Sequence, residues 1–173
     1  MTCASVILDS RTQKVGIPSL ERRIAAHPKI VVDAYYSQGK IERIILGSSK
    51  EGFICRFFGT IKEEEALIAF LKAYSAKKEA ALPQLDLSLF PAFTRQVLKT
   101  LTTLNFSETA SYKEVAQKVG NAHAARAVGN ACRVNPFPLL IPCHRVLASN
   151  GKLGGFAFGT SMKETLLDFE SAT

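Results

Sequence analysis

The chain has 173 residues, of which 47% are apolar and 21% charged, a composition that excludes a disordered or fibrous chain. Lys and Arg outnumber Asp and Glu by 22 to 15, a net charge of +7, and no apolar run approaches the roughly 20 residues of a membrane span. The cysteines Cys3, Cys55, Cys132 and Cys143 form no CxxC pair, and Met1 to Ser10 lacks the basic-then-apolar order of an export signal, so reduced thiols and a cytoplasmic setting are expected.

In chain order, Ile30–Tyr36 and Lys40–Gly47 are rich in β-branched and aromatic residues. Ser37-Gln38-Gly39 between them is turn chemistry, so a hairpin is predicted, with Phe53–Phe58 as a third strand. Thr60 with Glu63 reads as a capping box for a helix over roughly 61–77, with Leu67, Ile68, Leu71 and Tyr74 on one face. The Pro-punctuated stretch 79–91 reads as a connector, dividing the chain into an α/β unit (1–84, a small antiparallel sheet with a helix) and a mainly α-helical unit (85–173). In the second unit, Phe93, Val97, Leu101 and Leu104 predict a helix over 92–104. Ser111 and Glu114 form another capping box, and that helix stops at Gly120. Asn121 is placed to cap a helix over 122–132, and Ser161 with Glu164 to cap a final helix carrying Leu166, Leu167 and Phe169.

Two features carry chemistry. From Val115 to Lys163 there is no Asp or Glu, yet six cations fall there: Lys118, Arg126, Arg133, Arg145, Lys152 and Lys163. Such a window suits a polyanion or a solvated basic surface. Inside it, two short helices around Gly120-Asn121 have the form of a helix-turn-helix. The second is thin, with Ala122, Ala124, Ala125, Ala127, Gly129 and Ala131 around the single long cation Arg126, a composition that allows entry into a narrow groove but that, taken alone, is more often met in plain helical packing. The second feature is Cys143, preceded by Pro136, Pro138 and Pro142, which restrict the backbone. A rigid turn presenting one Cys is what a positioned nucleophile needs, and it is also compatible with a buried structural thiol. His144 follows directly, but adjacent side chains diverge, so a proton path between them needs a bridging water and a carboxylate to orient the ring.

Ile141-Pro142-Cys143-His144-Arg145-Val146 resembles the signature of the O6-alkylguanine-DNA alkyltransferases, the methylated-DNA–protein-cysteine methyltransferases. Phe93–Leu98, Ser111-Tyr112, Ala124–Gly129, Asn135-Pro136 and Lys163-Glu164 stand in that family's order, so the resemblance covers about residues 86–170. It implies that Cys143 takes the alkyl group from guanine O6 and is consumed, that His144, oriented by Glu170, passes on its proton, and that Asn135 braces the turn. It implies Arg126 as the finger replacing an extruded base, Tyr112 as the side chain that turns the nucleotide out and donates to it, and a DNA-facing surface of Ala125, Ala127, Gly129 and Arg133. A pocket of Val146, Phe156, Ala157 and Cys132 would hold the base, the backbone around Val146 reading its exocyclic amine. The implied partner is double-stranded DNA carrying O6-alkylguanine, met by a monomer without cofactor. Two departures stand out: Phe156 replaces the family's usual Tyr, and Phe158 is bulky where some members carry Gly. Poor acceptance of large adducts such as benzyl is therefore expected. Cys3 and His27 do not recreate a four-ligand set, so no structural metal is expected. The competing readings are a lesion-binding module without transfer, a sequence-specific regulator, whose helix should offer more base-reading side chains than alanines, and a thiol hydrolase that turns over repeatedly.

Overall fold

The computed structural model describes residues 18–62 and 64–172, together with the backbone of two short paired strands, β1 (Ile7–Leu8) and β2 (Lys14–Val15). Cys3 and Glu63, and with Glu63 the first expected capping box, lie outside the described residues.

The three predicted strands form as β4 (Ile30–Ser37), β5 (Lys40–Ser48) and β6 (Phe53–Gly59), joined by a fourth, β3 (Leu20–Ala25). The spatial order is β3-β6-β4-β5. The sheet is mixed rather than antiparallel: β4 pairs antiparallel with β5 but parallel with β6. The cause is the short link after β5. It passes over the start of β4 and delivers β6 to the far side of that strand, running in the same direction. Gly52 in this link has φ +118°, and a Cβ there would sit 2.6 Å from the Ala25 carbonyl oxygen, so only glycine fits. β3 escapes a pattern-based reading because Glu21, Arg22 and Arg23 are all exposed, leaving no apolar alternation on this edge strand.

Along β4, Ile30, Val32, Ala34 and Tyr36 point to one buried face, the period of two expected of a strand. Ile44 and Leu46 of β5 and Phe53, Cys55 and Phe57 of β6 join the same core. α1 (Glu64–Ser75) covers it with Leu67, Leu71 and Tyr74. On the opposite face, the Arg56 guanidinium donates to both carboxylate oxygens of Asp33, each at 2.6 Å.

Residues 78–87 form neither helix nor strand. α2 (Ala92–Leu101) buries Val97, Leu98 and Leu101. It ends three residues short of expectation because Thr102 and Thr103 donate their hydroxyls to the carbonyls of Lys99 and Thr100, a local bond that competes with helix continuation. β7 (Ala110–Ser111) leads into α3 (Tyr112–Lys118), whose capping box forms as predicted: Glu114 N–H donates to the Ser111 hydroxyl at 3.1 Å and Ser111 N–H to the Glu114 carboxylate at 2.6 Å. α4 (Ala125–Arg133) begins three residues later than predicted. Asn121 accepts from His123 N–H at 3.2 Å and so closes a turn ahead of the helix instead of capping it. Arg126 therefore sits in the first turn of α4, not at its middle. β8 (Val146–Leu147) pairs parallel with β7. α5 (Thr160–Ser171) is preceded by Gly159, with no side-chain cap. Ser161 lies inside its first turn, and of the expected inward side chains Leu166 is fully buried while Leu167 and Phe169 are half-buried.

The core continues from the sheet through α1 into α2, α3, α4 and α5. A backbone hydrogen bond joins the halves directly, Ile44 N–H to the Pro136 carbonyl at 2.7 Å.

Candidate active site

The stretch from Asn135 to Val146 is almost wholly buried. Its chain path is set by proline and by one asparagine. Pro142 has φ −78° and ψ 63°, and Cys143 N–H donates to the Ile141 carbonyl at 2.7 Å, an inverse γ-turn that proline's fixed φ suits. Cys143–Arg145 then form a single 3-10 turn. The Asn135 side chain spans the loop. Its amide donates to the Ile141 carbonyl at 2.9 Å and to the Cys143 sulfur at 3.2 Å, while its oxygen accepts from Phe137 N–H at 3.0 Å.

Behind the sulfur stands a buried charged cluster. His144 Nε2 lies 2.7 Å from Glu170 Oε1, and Nδ1 is buried with no hydrogen-bond partner among the described residues. Arg145 donates Nε to Glu170 Oε2 at 2.8 Å, one terminal nitrogen to Oε1 at 3.0 Å and the other to the Leu104 carbonyl at 2.7 Å. Tyr74 of α1 adds its hydroxyl to Glu170 Oε1 at 2.9 Å. Burial pushes the His144 pKa down against the pull of Glu170, so the ring is neutral with its proton on Nε2. Burial opposes ionisation of Glu170, but its bonds from His144 and Arg145 outweigh this and hold the carboxyl down at about 2. The Cys143 thiol is raised by burial, only partly offset by the Asn135 amide and the Lys163 charge. The resting state is thus a thiol beside a neutral imidazole and a carboxylate, and a base must take the thiol proton as the sulfur reacts.

Cys143 opens onto a cavity of about 740 Å³ lined by Tyr112, Gly129, Cys132, Arg133, Cys143, Gly155, Phe156 and Ala157. The β7–β8 pairing, with Ala110 opposite Val146, sets the start of α3 beside the cysteine turn and so brings Tyr112 into the same space. The Tyr112 ring lies between two glycines. A Cβ at Gly129 would lie 3.8 Å from the ring, and one at Gly154 would lie 3.2 Å from the hydroxyl. Phe156 meets the His144 ring edge-on with centroids 6.5 Å apart, and Phe158 packs on Phe156 at 5.6 Å.

Most of the expected site residues converge. Tyr112, Gly129, Cys132, Arg133, Phe156 and Ala157 share the cavity with Cys143, while Asn135 bonds the sulfur and His144 pairs with Glu170. Val146 does not line the cavity: its side chain is fully buried, and its carbonyl accepts from Lys163 Nζ at 2.6 Å. Arg126 and Ala127 are exposed on α4, with Ala125 half-buried beside them. The basic window is less of a surface field than its sequence suggests. Arg145 is consumed by Glu170, and Lys163 is fully buried, its ammonium also donating to the Leu153 carbonyl, which leaves four cations of the six at the surface. Tyr74 carries no signal in the sequence beyond its place on an apolar helix face, and Arg145 reads there as one more cation.

Residues 92–172 match the family model described as 6-O-methylguanine DNA methyltransferase, DNA binding domain. The human methylated-DNA–protein-cysteine methyltransferase is 47% identical over 109 residues, 59% of this chain and 53% of the human one. A relative from Acanthamoeba polyphaga mimivirus, named as a probable methylated-DNA–protein-cysteine methyltransferase, is 39% identical over 111 residues, 64% of this chain and 74% of its own. This chain belongs to the methylated-DNA–protein-cysteine methyltransferase family. It spans about half the length of the human methyltransferase it matches. Among solved structures, Mycobacterium tuberculosis OGT in complex with DNA superposes with TM-score 0.59 at 36% identity, covering 66% of this chain and 71% of that one. The methyltransferase family match takes in α2 to α5, the elements that carry the cavity, the cysteine turn and Glu170.

Proposed function

We propose that this protein repairs double-stranded DNA by moving the alkyl group of O6-alkylguanine, chiefly methyl, onto its own Cys143. The observation that carries the reading is the position of the Cys143 thiol: held by Asn135, facing an open cavity, with a neutral His144 and an ionised Glu170 behind it. In the transfer the sulfur forms a bond to the alkyl carbon as the carbon–O6 bond breaks. The thiol proton passes through a bridging water to Nδ1 of His144, whose other nitrogen is committed to Glu170, so the imidazolium forms against a carboxylate already in place. The electron pair leaves on the guanine, which the Tyr112 hydroxyl and backbone N–H groups near Ala157 stabilise by donation. The guanine anion then takes a proton at N1 from water and the imidazolium returns its proton to solvent, so the products are an alkyl thioether and an unmodified guanine. A thioether is not readily displaced, so each molecule acts once.

The alkyl carbon of a stacked base cannot reach a fixed sulfur inside a protein cavity, so the nucleotide is extruded first. α3 and α4 serve as the helix-turn-helix. The small residues Ala125, Ala127 and Gly129 let α4 approach the groove closely, Arg126 fills the space left in the stack, and Arg133 at the cavity rim meets the backbone. Residues 85–173 carry DNA contact and chemistry. Mycobacterium tuberculosis OGT, solved with DNA, supports a DNA partner.

The test is mass spectrometry after incubation with a duplex containing O6-methylguanine. One added CH2 on the Cys143 peptide, appearing as a burst of one equivalent with no steady state, is expected. Tight binding of the lesion without any adduct would instead make the protein a lesion-binding module, and repeated turnover would make it a hydrolase.

A further inference from the structure

We infer that Tyr74, contributed by α1 of the N-terminal half, is a positioning residue for the reaction: its hydroxyl holds the Glu170 carboxylate in the orientation that fixes His144. This rests on the alkyl-transfer reading of Cys143 and extends it to the half of the chain outside the family match.

The geometry is specific. Glu170 Oε1 accepts from three donors, His144 at 2.7 Å, Tyr74 at 2.9 Å and Arg145 at 3.0 Å, and Oε2 takes Arg145 Nε. Arg145 is anchored on α2's trailing turn through the Leu104 carbonyl, and Ser107 donates to the Glu170 backbone carbonyl. The groups facing the carboxylate are thus His144 and Arg145 from the cysteine turn and Tyr74 from α1, with Lys163 of α5 near the imidazole. Among the described residues, Tyr74 is the one donor here from the N-terminal half. Its ring packs in a cluster with Phe106 at 5.4 Å and Phe169 at 5.5 Å, which also meet each other at 6.4 Å, with Phe53 of the sheet edge-on at 6.2 Å. A phenol so enclosed has its hydroxyl direction set by the packing of both halves, and a buried hydroxyl needs a partner. A carboxylate with a full set of donors presents less negative charge to any one of them. Tyr74 therefore both aims Glu170 and moderates how strongly it favours a protonated His144, keeping Nδ1 free to accept.

The experiment compares wild type with Tyr74→Phe, which preserves the ring contacts and removes the hydroxyl. Single-turnover alkyl transfer is followed at saturating O6-methylguanine duplex from pH 5 to 9. Expected are a rate lower by about three- to tenfold and an acid limb displaced upward by about half a unit to one unit. DNA affinity should stay unchanged, because Tyr74 lies behind the site. In a Glu170→Gln background the same substitution should have no further effect. A Tyr74→Phe profile that overlays wild type would overturn the inference, as would an equal loss in the Glu170→Gln background, which would make Tyr74 a packing residue only. Should Tyr74→Phe fail to fold, 3,5-difluorotyrosine at position 74 keeps ring and hydroxyl as a stronger donor. It should move the acid limb downward, and no movement would equally overturn the inference. If wild type itself forms no adduct, it is the alkyl-transfer reading that fails.

Discussion

The side-chain amide of Asn135 donates to the sulfur of Cys143 at 3.2 Å and to the carbonyl of Ile141 at 2.9 Å, so one residue ties the nucleophile to the turn that presents it. Replacing Asn135 with Ala removes both donors and the acceptor for Phe137 N–H from a buried loop. A stability loss of about 1–3 kcal/mol is expected, read as a lower urea midpoint, together with at least about tenfold slower adduct formation because the sulfur is no longer fixed. Unchanged transfer in a destabilised Asn135→Ala protein would separate the two roles.

Glu170 sets an acid limit on stability. Its carboxyl is held at about 2 in the folded protein, below the ordinary value for an unfolded Glu of about 4.3. The unfolded state binds the proton first, so the stabilisation is complete above the unfolded pKa and is lost as pH falls through the folded one. Urea midpoints measured between pH 7 and pH 2 should therefore decline below about pH 4.5, and Glu170→Gln should flatten that part of the decline while being less stable at neutral pH.

Arg126 stands exposed in the first turn of α4. Arg126→Ala is expected to slow repair of duplex substrate by about tenfold or more while leaving reaction with free O6-methylguanine base nearly unaffected, since the free base needs no stack to be filled. Equal losses on both substrates would remove the finger role.

Cys143→Ala should abolish adduct formation yet retain DNA binding, and that affinity should fall steeply as salt rises from 50 to 200 mM, as phosphate contacts require. Titration of labelled duplex at several salt concentrations checks both points.

Phe156 lines the cavity shared by Cys143 and carries no hydroxyl, and Phe158 packs on it at 5.6 Å. O6-benzylguanine in a duplex is expected to react at least several-fold more slowly than O6-methylguanine, because a second ring competes for space with Phe156, which Phe158 holds in place. Phe156→Tyr should accelerate methyl transfer by adding a donor near O6. Equal benzyl and methyl rates in wild type would contradict the steric account.

What could be foreseen from residue order follows the range of each interaction. The Ser111–Glu114 capping box was legible because both partners lie within one helical turn, and the cysteine turn because proline acts on its own backbone. The hairpin of Ile30–Ser37 and Lys40–Ser48 was legible from β-branched runs around a glycine turn. The parallel pairing of Phe53–Gly59 with Ile30–Ser37 was not, since nothing local states which strand will be a neighbour. Leu20–Ala25 was hidden because an edge strand with three exposed charges has no apolar rhythm. The His144–Glu170 contact, spanning 26 residues, was expected only through family resemblance. Tyr74 reaching Glu170 across 96 residues was beyond any pattern, as was the burial of Arg145 and Lys163, which read in one dimension as ordinary surface cations.

The two glycines flanking the Tyr112 ring bear on any attempt to re-engineer this pocket. Gly154 holds a φ of +68°, which strains any other residue, and a Cβ there would lie 3.2 Å from the phenol oxygen, so diversifying that position presses the tyrosine aside by a few tenths of an ångström. Libraries aimed at new leaving groups are better confined to Phe156 and Ala157, where the wall can be recut while the phenol keeps its seat.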